Sequence, residues 1–150
     1  MASELHLRVV TPARTVLDRK VASVSFMGVD GSYGILPNHA PLLTTLKYGP
    51  LRVRHHGREE VFAIAGGVME VQPDLVTVLA DVGENVEEID IARAEAARRR
   101  AEELLQQGPP PDTQAYLALE AALRRSNLRL EVARRYRRRR PGPGPQLSND

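Results

Sequence analysis

The 150-residue chain contains no cysteine and no tryptophan, and aromatic residues make up only 4% of it. Without cysteine the chain has no disulfide bonds, no thiolate metal ligands and no cysteine nucleophile. Because aromatics are scarce, we expect a core of Val, Leu, Ile and Ala. No apolar stretch approaches the roughly 18 residues that span a bilayer, and the N-terminus lacks the pattern of a signal peptide. We therefore expect a soluble chain that meets a membrane only through a partner.

The sequence also lacks the motifs of a self-contained enzyme. It contains no phosphate-binding GxxxxGK[ST] or GxGxxG sequence and no GxSxG nucleophile motif. No pair of carboxylates is obviously placed for acid–base chemistry. The four histidines, His6, His39, His55 and His56, show no HxxxH or HxH spacing, so we expect no metal site. The chain is therefore expected to act by binding partners rather than by catalysing a reaction alone.

A change in charge along the chain indicates two domains. Residues 1–88 carry 8 basic and 11 acidic residues, whereas residues 89–140 carry 13 arginines and 7 acidic residues. The change coincides with a change of sequence pattern, which predicts a boundary near residue 86. We expect a β domain over 1–86, a helical hairpin over 87–140, and a disordered Pro/Gly tail over 141–150.

The first domain has the pattern of short antiparallel strands. Residues 5–10 alternate polar and apolar side chains, and residues 16–26 resemble one further alternating strand. Pairs such as Gly49-Pro50 and Gly66-Gly67 separate the later runs of β-branched residues. Short strands with frequent turn signals predict a β-sandwich or barrel. The turn-rich segment 28–43 is open to two interpretations, an ordinary connection or a contact loop displayed on a rigid scaffold.

The second domain is rich in Ala, Arg, Glu and Leu, which favour helices. Asp90 is placed to cap a first helix, which Gly108 and the prolines at 109–111 end. A second helix, capped by Asp112 or Thr113, should run to about Arg137. Two helices joined by a short turn predict an antiparallel hairpin. On the second helix an apolar stripe is expected from Tyr116, Leu119, Leu123, Leu130 and Ala133.

The arginines of the hairpin allow three interpretations. Arg93 and Arg100 share one face of the first helix, and Arg125 and Arg129 share one face of the second. Folding of the hairpin could gather both sets around a small anion, since guanidinium groups suit phosphate oxygens. A solvated basic face is the alternative. The arginine-rich run at 133–140 also suggests a nucleic-acid-binding module.

The chain resembles a known family, the epsilon subunits of bacterial and chloroplast-type F-type (rotary, proton-translocating) ATP synthases. The resemblance extends from Leu5 to about Tyr136. It is carried by VTPARTVLD (10–18), DGSYGILPNHAPLLTTLKYGPLRV (30–53), AIAGGVMEVQPDLVTVLAD (63–81) and IDIARAEAARRRAEE (89–103). It implies a flattened ten-stranded β-sandwich followed by an antiparallel two-helix hairpin.

The resemblance implies a non-catalytic subunit of the central stalk. Such a subunit couples rotation of the membrane c-ring, through the gamma subunit, to ATP synthesis. The sandwich would bind gamma and the c-ring, and the complex would hold it at the cytoplasmic face of the plasma (inner) membrane. By resemblance, the c-ring contact loop would present Gly31, Ser32, Asn38 and His39.

The resemblance also implies that the hairpin is a switch. Folded, it packs on the sandwich. Extended, it reaches the catalytic head and hinders ATP hydrolysis by contacting the beta (and alpha) subunits. The candidate inhibitory contacts are Arg124, Arg125, Arg129, Arg134 and Arg135. Truncation after about Gly83 is expected to raise ATPase activity of the assembled complex.

Some relatives bind ATP through an [IL]-D-x-x-R-A motif, which residues 89–94 fit. ATP would be a regulatory ligand rather than a required cofactor, and the motif does not require Mg²⁺. A ligand shifts such a switch only by its difference in affinity for the two states. The candidate ATP-binding residues are Glu84, Ile89, Asp90, Arg93, Ala94, Arg100, Arg125 and Arg129. A plain ATP-binding sensor is a further alternative, and on the resemblance no nucleic-acid partner is expected.

Overall fold

The computed structural model describes residues 3–108 and 112–137. The expected tail at 141–150, the last arginines at 138–140 and the prolines at 109–111 lie outside the described residues. The strands are β1 (Leu5–Val10), β2 (Thr15–Val21), β3 (Ser23–Gly28), β4 (Gly31–Ile35), β5 (Leu42–Thr45), β6 (Gly49–His55), β7 (Arg58–Val71) and β8 (Leu75–Asn85). A 3₁₀ turn (Val86–Glu88) follows, and then helices α1 (Ile91–Gln106) and α2 (Thr113–Arg137).

The eight strands form one folded-over sheet with the order β2-β1-β8-β7-β6-β3-β4, and β5 pairs with β7. The neighbours along this order are antiparallel except β1 and β8, which are parallel. Strands from both ends of the order share one core, in which Leu7 of β1, Val24 of β3 and Val53 of β6 are buried together. Packing of two sheet layers around one aliphatic core makes a β-sandwich. The predicted fold class is therefore confirmed.

Gly66 and Gly67 do not form the turn that the sequence pattern suggests. Strand β7 runs through both, and they adopt φ values of +73° and +128°. A Cβ atom on Gly67 would lie 2.2 Å from the carbonyl oxygen of Leu79 on the neighbouring strand. Only glycine fits so close an approach at a positive φ. The glycines thus allow one strand to bend instead of ending.

This bend explains the number of strands. Before it, β7 pairs with β6, and after it β7 pairs with β5. The side chains that face the main core change from Phe62 and Ile64 to Met69 and Val71. Strands β7 and β8 each serve both layers, so the described residues contain eight strands where the resemblance implied ten. Counting the two halves of each separately gives ten segments.

The single strand expected over 16–26 is also two strands. The chain breaks at Ala22, whose N–H donates to the carbonyl oxygen of Arg54, 2.8 Å away. Strand β2 then pairs with β1, whereas β3 pairs with β4 and β6. The alternating pattern continues across this break, so periodicity alone could not reveal it.

Helix α2 packs on the outer face of the sandwich and forms a second, smaller core. Val61, Ala63 and Ala65 point outward from β7 because their neighbours point inward. Against them lie Leu128, Val132, Ala133 and the partly buried Tyr136. The predicted stripe included Ala133 but not Leu128 or Val132, because α2 faces both α1 and the sandwich. Of the other stripe residues Leu130 is buried, and Tyr116, Leu119 and Leu123 are only partly covered.

The helix starts follow the sequence. The Asp90 carboxylate accepts from the N–H of Arg93 at 3.1 Å and caps α1. The Asp112 carboxylate accepts from the N–H of Gln114 at 3.0 Å, so Asp112 rather than Thr113 caps α2. Ala94 and Ala101 are the buried residues of α1. Across the described ranges, neither helix is long and apolar enough to cross a membrane.

Candidate functional site

The strongest polar contact between the hairpin and the sandwich joins Glu84 of β8 to Arg129 of α2. Arg129 donates from Nε at 2.8 Å and from Nη2 at 3.1 Å to the two carboxylate oxygens. The two side chains are 29% and 20% exposed for Arg129 and Glu84, respectively. A two-pronged guanidinium–carboxylate contact in a partly desolvated place is among the stronger charge-assisted pairs. It orients α2 on the sandwich.

Two cation–π contacts flank this pair along α2. The guanidinium of Arg124 lies 5.5 Å from the centre of the Tyr48 ring, which belongs to the β5–β6 connection. Near the C-terminal end of α2, the guanidinium of Arg52 lies 5.8 Å from the ring centre of Tyr136. Helix α2 is thus held on the sandwich at three places, and the hairpin is in a folded, docked arrangement.

Arg52 also takes part in a second ion pair. It donates from Nε and Nη2 to the two carboxylate oxygens of Glu59, both at 3.0 Å. This hydrogen bond lowers the pKa of the Glu59 carboxyl and raises that of the Arg52 guanidinium. Arg52 therefore couples the β6–β7 hairpin to the C-terminal part of α2.

A cavity of about 300 Å³ lies beside the Glu84–Arg129 pair. Ala97 and Ala122 leave this space because their side chains are small. The lining residues are Val82, Glu84, Ala97, Ala122, Arg125, Ser126 and Arg129. Three of the candidate ATP-binding residues, Glu84, Arg125 and Arg129, therefore share one cavity between the hairpin and the sandwich.

The other five ATP candidates do not line this cavity. Ile89 is buried in the second core, and Ala94 is fully buried. Asp90 uses one carboxylate oxygen to cap α1. Arg93 and Arg100 lie on the same face of α1 as Ala97, about one turn before and after it, but both are exposed. The docked hairpin thus places Arg125 and Arg129 of α2 in the cavity, whereas Arg93 and Arg100 of α1 are not among its lining residues.

The five candidate inhibitory arginines have different surroundings in this docked arrangement. Arg124 contacts Tyr48, Arg125 lines the cavity and Arg129 pairs with Glu84. Arg134 pairs with Glu95 of α1, and the Arg135 guanidinium lies 5.7 Å from the Tyr136 ring centre. Only Arg124 and Arg129 contact the sandwich, so for these two a contact with another protein would require that the hairpin first leave the sandwich.

The four predicted c-ring residues do not lie on one loop. Gly31, with φ +138°, closes the β3–β4 hairpin, and Ser32 pairs with Met27 inside it. Asn38 and His39 follow the far end of β4, where the Asn38 N–H donates to the carbonyl oxygen of Pro73 at 2.8 Å. The two pairs are thus at opposite ends of a strand about 13 Å long. The four residues therefore do not form one loop, because strand β4 separates the two pairs. Their contact with the c-ring stays a prediction.

A row of exposed apolar side chains crosses the outer face of β5, β7 and β8. Val68 lies opposite Leu79, and Leu43 lies opposite Glu70 one step further along the same face. Leu43 and Leu79 are 71% and 57% exposed. This apolar row, defined as Leu43, Val68 and Leu79, is on the part of β7 that α2 does not cover. Contiguous exposed apolar residues are typical of a protein interface.

Sequence reasoning missed Tyr48, Arg52 and Tyr136 as docking residues. In a chain with only four tyrosines, two of them contact arginines across the hairpin–sandwich junction. Scarcity of aromatics was the available signal, but it does not identify their partners, which are far apart in sequence.

Two family descriptions match the chain. Residues 4–86 match the beta-sandwich domain of the ATP synthase Delta/Epsilon chain. Residues 87–134 match the long alpha-helix domain of the same chain. Together they extend over the sandwich and nearly all of the described hairpin.

Several relatives are named ATP synthase epsilon chain. That of Moorella thermoacetica is 47% identical over 134 residues, covering 89% of this chain and 98% of its own length. That of Geotalea uraniireducens is 42% identical, covering 89% and 96%. The chain is also similar to a chain in the Euglena gracilis mitochondrial ATP synthase OSCP/F1/c-ring structure, with 25% identity, a TM-score of 0.68 and coverage of 87% and 81%. A chain of the Tetrahymena thermophila mitochondrial ATP synthase central stalk/c-ring, at 14% identity, TM-score 0.56 and coverage of 89% and 96%, shares the fold.

Proposed function

The chain belongs to the ATP synthase delta/epsilon family, and we propose that it acts as the non-catalytic epsilon subunit of the central stalk. In this role the sandwich is the rigid body that transmits torque between the c-ring and gamma. The hairpin is a brake on ATP hydrolysis. The observation that carries this proposal is a helical hairpin docked through a small core and a few polar contacts on a sandwich that has its own core. The main core contains no residue of the hairpin, so the sandwich can keep its structure when the hairpin leaves it.

The apolar row is the proposed gamma-binding face. Leu43, Val68 and Leu79 remain exposed while α2 covers the other half of β7, so both contacts can exist at once. The turn with Asn38 and His39 is hydrogen-bonded to the β7–β8 turn, at the end of strands that carry this row. We therefore assign this turn to the gamma side of the sandwich.

The β3–β4 hairpin tip is the proposed c-ring contact. Asp30 is exposed beside Gly31, and Val29 is 52% exposed. A tight hairpin tip at the end of a sandwich can reach a flat surface of polar loops without moving the core. Of the residues named from the resemblance, Gly31 and Ser32 belong to this contact and Asn38 and His39 do not.

Cross-linking tests both assignments because the chain has no cysteine. A single Asp30→Cys variant should cross-link to a c subunit in the assembled synthase, and a single Asn38→Cys variant should cross-link to gamma. A cysteine at Glu87, which is exposed near the docked hairpin, serves as the matched control. Cross-links from Asn38→Cys to the c-ring alone would contradict the assignment, and no cross-link to the complex from any site would contradict the function.

The proposed brake works by undocking. Arg124 and Arg129 contact the sandwich in the docked chain, so these two contact the beta and alpha subunits only in the extended state. A truncation after Gly83, as the sequence suggested, would cut β8, which runs to Asn85. Ending the chain after Ile89 keeps β8 and the 3₁₀ turn. This truncation should raise ATPase activity of the assembled synthase without loss of assembly, and unchanged activity would show that the hairpin is not inhibitory.

ATP is the proposed ligand of the cavity, and it would favour the docked state. Arg125 lines the cavity, and the exposed Arg93 and Arg100 share a face of α1 with its lining residue Ala97, so long arginine side chains from both helices can reach phosphates held there. Titration of the purified chain with ATP should give weaker binding for Arg125→Ala and Arg93→Ala. Arg8→Ala, on the distant strand β1, is the control. Equal affinity in all variants would remove the cavity from consideration.

The nucleic-acid alternative receives less support. In the described part of the chain, Arg129 and Arg134 are paired with the carboxylates of Glu84 and Glu95, which neutralises part of the basic charge that would attract phosphates. Attachment to the synthase also gives the chain its proposed location, as a peripheral subunit at the cytoplasmic face of the membrane.

A further inference from the structure

The β6–β7 turn carries two histidines that the functions proposed above do not use. His55 ends β6, and His56 and Gly57 have φ values of +50° and +72°. Positive φ at both central residues is typical of a tight two-residue hairpin turn. In this turn the two imidazole rings lie side by side, with ring centres 3.8 Å apart. Consecutive residues of a straight strand would instead point to opposite faces.

A third possible metal ligand comes from the N-terminal segment of the sandwich domain. Glu4, just before β1, places its carboxylate beside the two rings, and one donor atom from each residue lies within 4.8 Å of the other two. Zinc–ligand bonds of 2.0–2.1 Å in a tetrahedron place donor atoms about 3.3 Å apart. Glu4 and His56 are exposed, so rotation of their side chains can close the remaining distance without moving the backbone.

We propose that Glu4, His55 and His56 form a binding site for a divalent transition-metal ion, with Zn²⁺ as the best match. Two imidazole nitrogens and one carboxylate oxygen are ligands that suit zinc, and water would complete the coordination. Imidazole ligands disfavour Mg²⁺ and Ca²⁺, which prefer oxygen. A bound ion would tie the segment before β1 to the β6–β7 turn and thereby stabilise the sandwich.

The charges around the site determine how tightly we expect it to bind a metal ion. The cleft beside the histidines is also lined by Arg19, Arg58 and Glu60. The Arg19 guanidinium is paired with the Glu60 carboxylate, which reduces its repulsion of a cation. Among the described residues that line this cleft, Arg58 is the positive charge left to oppose the ion, so we expect micromolar rather than nanomolar binding.

The test is calorimetric titration of the purified, tag-free full chain with zinc chloride. We expect one ion per chain, a higher unfolding temperature with zinc, and no effect of magnesium chloride. His55→Ala and His56→Ala should each weaken zinc binding by about tenfold or more, and Glu4→Gln should weaken it less. His39→Ala and His6→Asn are matched controls and should bind zinc like the original chain.

Circular dichroism of each variant shows whether the sandwich is intact, so a lost site can be distinguished from a lost fold. The proposal is overturned if zinc does not bind, or if His55→Ala and His56→Ala bind it unchanged. It is also overturned if His6→Asn or His39→Ala removes the binding. None of these outcomes bears on the role in the central stalk.

Discussion

Glu84 on the last strand of the sandwich and Arg129 on the second helix form a two-pronged ion pair, with N–O distances of 2.8 and 3.1 Å. Both residues also line the cavity between the hairpin and the sandwich. The same pair therefore holds the docked hairpin and borders the proposed ATP site. A ligand phosphate that accepts hydrogen bonds from Nε and Nη2 of Arg129 must therefore displace the Glu84 carboxylate.

Reversal of one charge in this pair should undock the hairpin. Glu84→Arg places a third positive charge beside Arg125 and Arg129, and we expect docking to weaken by about 1.5–3 kcal/mol, typical of losing hydrogen bonds to charged groups. Amide hydrogen exchange should show less protection in α2. ATPase activity of the assembled synthase should fall, because more hairpins are extended.

The double variant Glu84→Arg/Arg129→Glu restores opposite charges and should recover docking. The matched control is reversal of Glu95, whose partner Arg134 lies on the same hairpin. It should loosen α1 against α2 without releasing the hairpin from the sandwich. If the double variant is no better docked than either single one, the pair does not control docking.

Gly67 should be the least replaceable residue of the sandwich. In Gly67→Ala the new methyl would lie 2.2 Å from the carbonyl oxygen of Leu79, at a φ of +128°. Strand separation and backbone strain together should lower the free energy of unfolding by about 3 kcal/mol or more. Gly34→Ala has open space and should change it by less than about 1 kcal/mol. Denaturant unfolding of both variants measures the difference, and equal stabilities would refute the packing argument.

The Arg52–Glu59 pair should make stability depend on acid pH. The hydrogen bond from Arg52 lowers the pKa of Glu59 below its ordinary value of 4.5, so the unfolded chain binds this proton more readily. The contribution is therefore fully present above that value and is lost as pH falls through the folded-state pKa. The Glu59→Gln variant lacks this term. Between about pH 6 and about pH 3 it should lose less stability than the original chain, as measured by urea unfolding.

Much of the fold was readable from local sequence signals. The alternating residues 5–10, the cap at Asp90 and the change of pattern near residue 86 are each recognised from neighbouring residues. The structure contains the corresponding strand β1, the helix cap and the two helices. The Gly66-Gly67 pair was misread because a glycine pair marks a turn and a close strand approach equally well. Only the neighbouring strand, with Leu79, distinguishes them.

The candidate site was less predictable because it combines distant segments. Helical spacing correctly placed Arg125 and Arg129 together, and both line the cavity. The same spacing could not show that Arg93 and Arg100 do not line the cavity. Nor could it show that the Arg129 guanidinium is paired with the Glu84 carboxylate. Those facts depend on how the hairpin rotates against β8, which the second core determines.

The aromatic ring of Tyr136 should help to hold α2 on the sandwich. Its ring packs on the second core and makes cation–π contacts with the guanidinium groups of Arg52 and Arg135. Tyr136→Ala removes all of these contacts, and we expect protection of the α2 amides around Val132 to fall about tenfold, equivalent to about 1.4 kcal/mol. Tyr136→Phe keeps the ring and should behave like the original chain. Tyr116→Ala, near the start of α2 and outside the second core, should leave these amides protected. Equal exchange in Tyr136→Ala and Tyr116→Ala would show that the C-terminal part of α2 is held by its aliphatic residues alone.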